Sequence, residues 1–240
     1  METLSFASII QRGVAISRKH VREILTIAFF ACLPSFFVAY SVYSGQTTET
    51  TNILVILFAL LSVVFAVLMQ GAITYIVYRS LRGEAVTIKD AIVCGYRQLF
   101  VLLGISLLFG IGVYLGLLAF VIPGIILICI WLVVIPAAVV EKKGVIPSFK
   151  RSIELTKGYR WTILGLVILF WVIEAILEGM PEALLKGSTS AVLDMSVLFL
   201  YTLLMAMVEG LYAACIVVLY FDLRSLKDKI SISKLTSVFE

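Results

Sequence analysis

QLFVLLGISLLFGIGVYLGLLAFVIPGIILICIWLVVIPAAVV, residues 98–140, runs for 43 positions without an aspartate, glutamate, lysine or arginine. A membrane-crossing helix needs about 20 apolar residues. This stretch is therefore long enough for two, and Pro123-Gly124 supplies a turn between them. The reading places helices near 98–119 and 122–140. Working outward, the stretches 24–48 and 50–78 are equally free of charge, and each holds one helix, near 21–43 and 52–78. Two further apolar runs, near 160–181 and 190–223, carry Glu174 and Glu209 well inside them. The expectation is an all-α polytopic bundle of six transmembrane helices.

Composition agrees. The 240 residues are 62% hydrophobic and 14% charged, with a mean hydropathy of +1.11. A soluble fold of this size leaves too much surface outside to hide that apolar content, whereas lipid accepts it. A single histidine, His20, rules out a histidine-cluster metal site. The cysteines Cys32, Cys94, Cys129 and Cys215 form no CxxC pair and read as small apolar filler. No cofactor is expected. The first apolar run contains Pro34 and follows an amphipathic segment rather than a brief basic start, so it reads as a span and not as a cleaved signal.

The basic residues set the orientation. Arg12, Arg18, Lys19 and Arg22 precede the first span. Arg79, Arg82, Lys89 and Arg97 lie between the second and third, and Lys142, Lys143, Lys150, Arg151, Lys157 and Arg160 between the fourth and fifth. Arg224, Lys227, Lys229 and Lys234 follow the sixth. Of the 19 lysines and arginines only Lys186 falls on the other side. By the positive-inside rule both ends face the cytoplasm, in the inner membrane of a bacterial or archaeal cell. This placement also explains the net charge of +4 without invoking nucleic acid.

Each basic segment reads as an amphipathic helix at the membrane interface, at 1–20, 84–97 and 145–158. Its apolar stripe is Phe6, Ile9, Ile10 and Gly13 in the first, Ile88, Ala91, Ile92 and Gly95 in the second, and Ile146, Phe149, Ile153 and Thr156 in the third. Ser148, Arg151, Glu154 and Lys157 are expected to turn away. Gly95-Tyr96-Arg97 opens the third span, Gly158-Tyr159-Arg160 opens the fifth, and Lys19-His20 stands before the first. The chain thus reads as three parallel repeats of interfacial helix, outward span and return span, with a tail over 224–240.

From residue 122 onward a longer pattern appears: Ile122-Pro123-Gly124-Ile125, Trp131, Pro136, Glu141, Gly144, Phe149-Lys150-Arg151-Ser152, Leu155-Thr156-Lys157-Gly158, and Leu219-Tyr220-Phe221-Asp222-Leu223-Arg224. This resembles the membrane domain of some glycerophosphoryl diester phosphodiesterases and the YciC-like bacterial membrane proteins. Those phosphodiesterases add a soluble barrel whose histidines and carboxylates hydrolyse the substrate. No such barrel or histidine pair is present, so the resemblance implies a membrane module without that activity.

Few residues suggest chemistry. Glu174 and Glu209 are the acidic residues set deep in the apolar runs, with Glu178 one turn beyond Glu174 and no lysine or arginine at comparable depth. They line a proton or cation path in one reading. In the other they are protonated and hydrogen-bonded to Gln70, Ser106, Tyr114, Tyr201 or Tyr212. The sequence favours the second, because polar pairs between spans are common glue. Gly112 and Gly116, and the stripe of Ala206, Gly210 and Ala214, read as close helix packing, within the bundle or in a homo-oligomer. Arg82, Arg97, Arg151, Lys157 and Arg160 are candidate contacts for anionic lipid, against general attraction to the negative leaflet. No glycine-rich nucleotide loop or nucleophile arrangement occurs, and Asp194 stands alone. The leading expectation is a non-enzymatic module that organises membrane lipid or a partner protein at the cytoplasmic leaflet. The alternative is a small transporter or channel using Glu209 and Glu174.

Reporter fusions after residues 48, 90, 121, 150, 186 and 235 are expected to alternate outside, inside, outside, inside, outside, inside. Two consecutive sites on one face would refute six spans.

Overall fold

A computed structural model describes residues 5–45, 49–185 and 190–236, and among these it contains ten α-helices and no strand. They fall into three units. The first holds α1 (Phe6–Lys19), α2 (Val21–Ser44) and α3 (Glu49–Leu81). The second holds α4 (Ile88–Arg97), α5 (Leu99–Ala119) and a return span in two pieces, α6 (Val121–Trp131) and α7 (Val134–Glu141). The third holds α8 (Val145–Thr156), α9 (Arg160–Leu185) and α10 (Ala191–Thr236). Six stretches are long and apolar enough to cross a membrane, and the chain is a multi-pass all-α membrane protein. Its outer surface is apolar, with Ile53, Leu57, Leu60, Phe100, Leu107, Leu118 and Ile176 all exposed. Water would penalise such a surface and hydrocarbon does not.

Packing shows how the units combine. The first span of each unit touches its own return span and that of the preceding unit: α2 lies against α3 and α10, α5 against α6 and α3, α9 against α10 and α6. Each short helix also packs on the preceding unit's return span, α1 on α10, α4 on α3, and α8 on α6 and α7. The pattern closes into a ring of three, with the return spans α3, α7 and α10 in mutual contact inside it.

The short helices are joined to the spans by local backbone breaks. His20 (φ −110°, ψ 31°) ends α1, and Gln98 (φ −106°, ψ 6°) ends α4 in nearly the same conformation. The third joint differs, using extended Lys157 and then Gly158 at φ +96°, a left-handed position open to glycine. The Gly-Tyr-Arg words are therefore not structural equivalents. Gly158 turns the chain, whereas Gly95 sits inside α4, where an added Cβ would lie 3.1 Å from the Leu68 carbonyl of α3.

Small residues, rather than large apolar ones, dock the short helices. At Gly13 a Cβ would fall 2.5 Å from the Cys215 sulfur and 3.3 Å from its Cα, so α1 lies almost backbone to backbone on α10. Gly95 meets Gly71 in the same way. In α8 the buried stripe is Ser148, Ser152 and Thr156 with Phe149 and Leu155. The expected stripe divides: Phe149 and Thr156 are buried while Ile146 and Ile153 are exposed, as is Ile92 of α4, and Ser148, expected to turn away, is buried. The usual amphipathic rule inverts where the outside is lipid. Apolar side chains can remain outside, and small hydroxyls go in, where backbone needs partners.

Three further expectations change. The fourth span is broken at Leu132–Val133 rather than continuous over 122–140. The turn before it lies at extended Phe120, with Pro123 inside the first turn of α6, where its missing N–H costs no helical bond. The segment after Arg224 continues α10 as helix to Thr236 instead of forming a separate tail.

Gly13→Ala is expected to lower thermal stability in detergent by the equivalent of about 1–3 kcal/mol, the usual cost of overpacking. Adding Cys215→Ala removes the sulfur clash and should recover part of that loss. Unchanged melting for the single variant would refute the close α1–α10 approach.

Candidate functional site

The return spans and α9 border a cavity of mixed lining, with apolar Ala213, Ile216 and Val217 among its walls. Its wall is Ala66, Gln70 and Thr74 of α3, Leu132, Ile135 and Pro136 of the broken span, Glu174 of α9, and Glu209 and Tyr212 of α10, around about 270 Å³. A second cavity of about 240 Å³ runs between α2, α3 and α10, past Ser35, Ser62 and Thr202. Glu209 and Ala66 line both. Three of the four polar residues singled out in the sequence, Glu174, Glu209 and Gln70, thus converge. Glu178 lies one turn further along α9, exposed and outside either wall.

The hydrogen bonding expected for packing glue is missing. Among the described residues no side chain bonds to Glu174 or Glu209, and neither is in an ion pair. Gln70 and Tyr212 share the wall without bonding either carboxyl, and Tyr114 is exposed on α5. Glu209 itself is exposed to open space rather than packed.

The broken span shapes the cavity. Pro136 has no N–H for the Leu132 carbonyl, and both residues line the wall. On the other side of the break the Ile130 carbonyl accepts from the Ser152 hydroxyl at 2.8 Å and from the Thr156 hydroxyl at 3.2 Å. Hydroxyls spaced one turn apart on α8 thus replace the helical N–H that the break removes.

A charged network closes the basic end. The Glu141 carboxylate accepts from Arg151 Nε at 2.9 Å and the Tyr220 hydroxyl at 3.0 Å, and pairs with Lys143 Nζ at 2.6 Å. Arg151 also reaches Asp228 at 3.0 Å, and Arg224 joins Asp228, Tyr220 and Tyr78. Nearby, Arg12 holds both oxygens of Asp222, at 2.6 and 2.8 Å. Burial alone would lower the Arg151 pKa, but its hydrogen bonds to Glu141 and Asp228 outweigh this and raise it. Arg151 therefore ties helices together. Arg82 pairs with Glu84 at 3.0 Å. Lys157 is exposed, and its carbonyl accepts from Lys227 Nζ at 3.0 Å. Arg97 and Arg160 are exposed and in no ion pair among the described residues.

The small-residue positions pack inside the chain. Gly112 faces the Trp131 ring, Gly116 faces Gly124, and Gly210 faces Ile24 and Ile73, with Ala206 and Ala214 buried beside it. The sequence reading missed the break and the network. A signal existed for both: Ser148, Ser152 and Thr156 at four-residue spacing, and Pro136 within a span.

No family model matches the chain, and no curated protein or solved structure matches it either. The pattern from residue 122 onward is built largely of folding positions: Gly124 and Trp131 at close contacts, Pro136 at the break, Glu141 and Arg151 in the network, Gly158 at the turn.

Ser152→Ala with Thr156→Val should leave the Ile130 carbonyl without these donors and cost about 1–3 kcal/mol. Thermal unfolding in detergent reads this, and a loss no larger than that of an exposed Ser5→Ala control would refute it.

Proposed function

We propose that the protein is a small carrier for protons or monovalent cations, set in a bacterial or archaeal inner membrane with its basic end in the cytoplasm. One observation carries this reading: two carboxyl groups without protein partners share the wall of a membrane-depth cavity with a broken helix. A carboxylate at such depth costs about 3 kcal/mol on insertion scales. The groups around it provide no cation to repay that cost. Proton uptake or a bound cation neutralises it, and the neighbouring carboxyl of Glu174 favours sharing one positive charge between the two.

Glu209 is the exchange point, because it borders both cavities. Gln70 on the same wall carries a neutral amide oxygen, which suits a partly dehydrated monovalent ion. Discontinuous helices recur at ion sites in transporters because freed carbonyls are tolerated only beside a cavity. This support outweighs the lipid-organising module, since Arg151 and Arg82 are engaged within the protein. No catalytic step is assigned.

Purified protein in vesicles should carry protons, sodium or potassium above the rate of empty vesicles. Glu209→Gln, which keeps shape and removes the ionisable group, should reduce the flux at least tenfold with melting unchanged. Wild-type flux equal to that of empty vesicles, across these ions and both directions of pH gradient, would overturn the reading.

A further inference from the structure

A second cavity type lies at the basic end, away from the glutamates. It occupies about 520 Å³ between α4, the start of α5, Tyr75 of α3 and the α7–α8 connection. Three cations line it: Arg97, Lys142 and Lys143. Lys143 is neutralised by Glu141 at 2.6 Å, but neither Arg97 nor Lys142 is in an ion pair among the described residues. The one carboxylate in the wall, Asp90, accepts from the Thr87 hydroxyl at 2.7 Å at the start of α4. The Tyr75 hydroxyl already accepts from Arg79, which leaves its own proton to donate. Lys142 sits at φ +49°, a left-handed position where most side chains are disfavoured.

Gln98 also lines it, its amide donating to the Val139 carbonyl at 3.2 Å, and the remaining side chains are apolar. Val93 and Val101 line the cleft, and Ile92 and Phe100, their exposed neighbours in sequence, continue an apolar surface onto the span. A free anion has no use for that surface, whereas a lipid has both a charged group and chains to place.

We infer that this cleft binds the phosphate of an anionic phospholipid, with Arg97 and Lys142 on its oxygens, the Tyr75 hydroxyl donating, and the acyl chains along Val93, Val101 and the outer face of α5. The inference does not rest on the cation reading, because the two cavities share no residue. Arginine and lysine at a membrane-water boundary suit this chemistry, arginine by its forked donors.

The test is native mass spectrometry of the full chain released from micelles containing phosphatidylglycerol or phosphatidylcholine with identical chains. Wild type should retain one phosphatidylglycerol per chain and not phosphatidylcholine. Arg97→Gln with Lys142→Gly should weaken retention about tenfold or more, two charges' worth. Glycine suits the backbone at 142, so the fold should persist, and a melting curve checks it. Arg18→Gln, an exposed cation elsewhere, should leave retention unchanged. Equal retention of both lipids, or an equal loss with Arg18→Gln, would overturn the site. Millimolar inorganic phosphate that displaces the phosphatidylglycerol would also overturn it, by reassigning the cleft to a free anion.

Discussion

The Ile130 carbonyl is where the architecture is most constrained. Hydrocarbon offers a backbone oxygen no water, so a helix that breaks at Leu132–Val133 must find replacement donors within the protein. Ser152 and Thr156 supply them, and in doing so they draw α8 against the broken span. Once α8 is held there, Arg151 lies beside Glu141 and Asp228, and through them the ends of α7 and α10 are fixed. The same break opens the wall from which Leu132 and Pro136 face the glutamates. One missing backbone bond thus links the docking of a helix, the closure of the basic end and the shape of the cavity.

The three units solve a common problem in different ways. Each short helix must approach a neighbouring span closely enough to close the ring. Unit one does so with Gly13 against Cys215, and unit two with Gly95 against Gly71. Unit three uses hydroxyls and a broken partner. The departure from symmetry coincides with the cavity, and the acidic residues come from the third unit, Glu174 on α9 and Glu209 on α10. A symmetric ring of three apolar hairpins has little reason to carry charge at its centre. The asymmetry is what gives it a site.

Much of this fold was legible in the residues. Uncharged stretches gave the spans to within a few residues, and the basic segments marked the short helices, because hydrophobic length and charge placement are read locally. Which face each short helix buries was not legible for α8. Periodicity puts Ile146 and Ile153 on one stripe with Phe149 and Thr156 and sets Ser148 apart, whereas the protein buries Ser148, Ser152 and Thr156 together. The break was hidden because Pro136 alone does not tell a kink from a tolerated proline. Glu174, Glu209 and Gln70 were recognisable as unusual from depth alone. Their convergence, and the absence of bonds to the tyrosines that seemed ready to receive them, required the packing of three separate helices.

α10 runs without interruption from Ala191 to Thr236, 46 residues, or roughly 69 Å at 1.5 Å per residue. The hydrocarbon layer is about 30 Å thick, so a large part of this rod lies outside it. Glu209 sits on the part within the ring, and Asp222 and Asp228 sit further along, gripped by Arg12 and Arg151. Torque or tilt applied at the protruding turns is therefore delivered to the cavity wall through a single stiff shaft. The Arg12–Asp222 and Arg151–Asp228 pairs hold that shaft at two separate turns, one to α1 and one to α8.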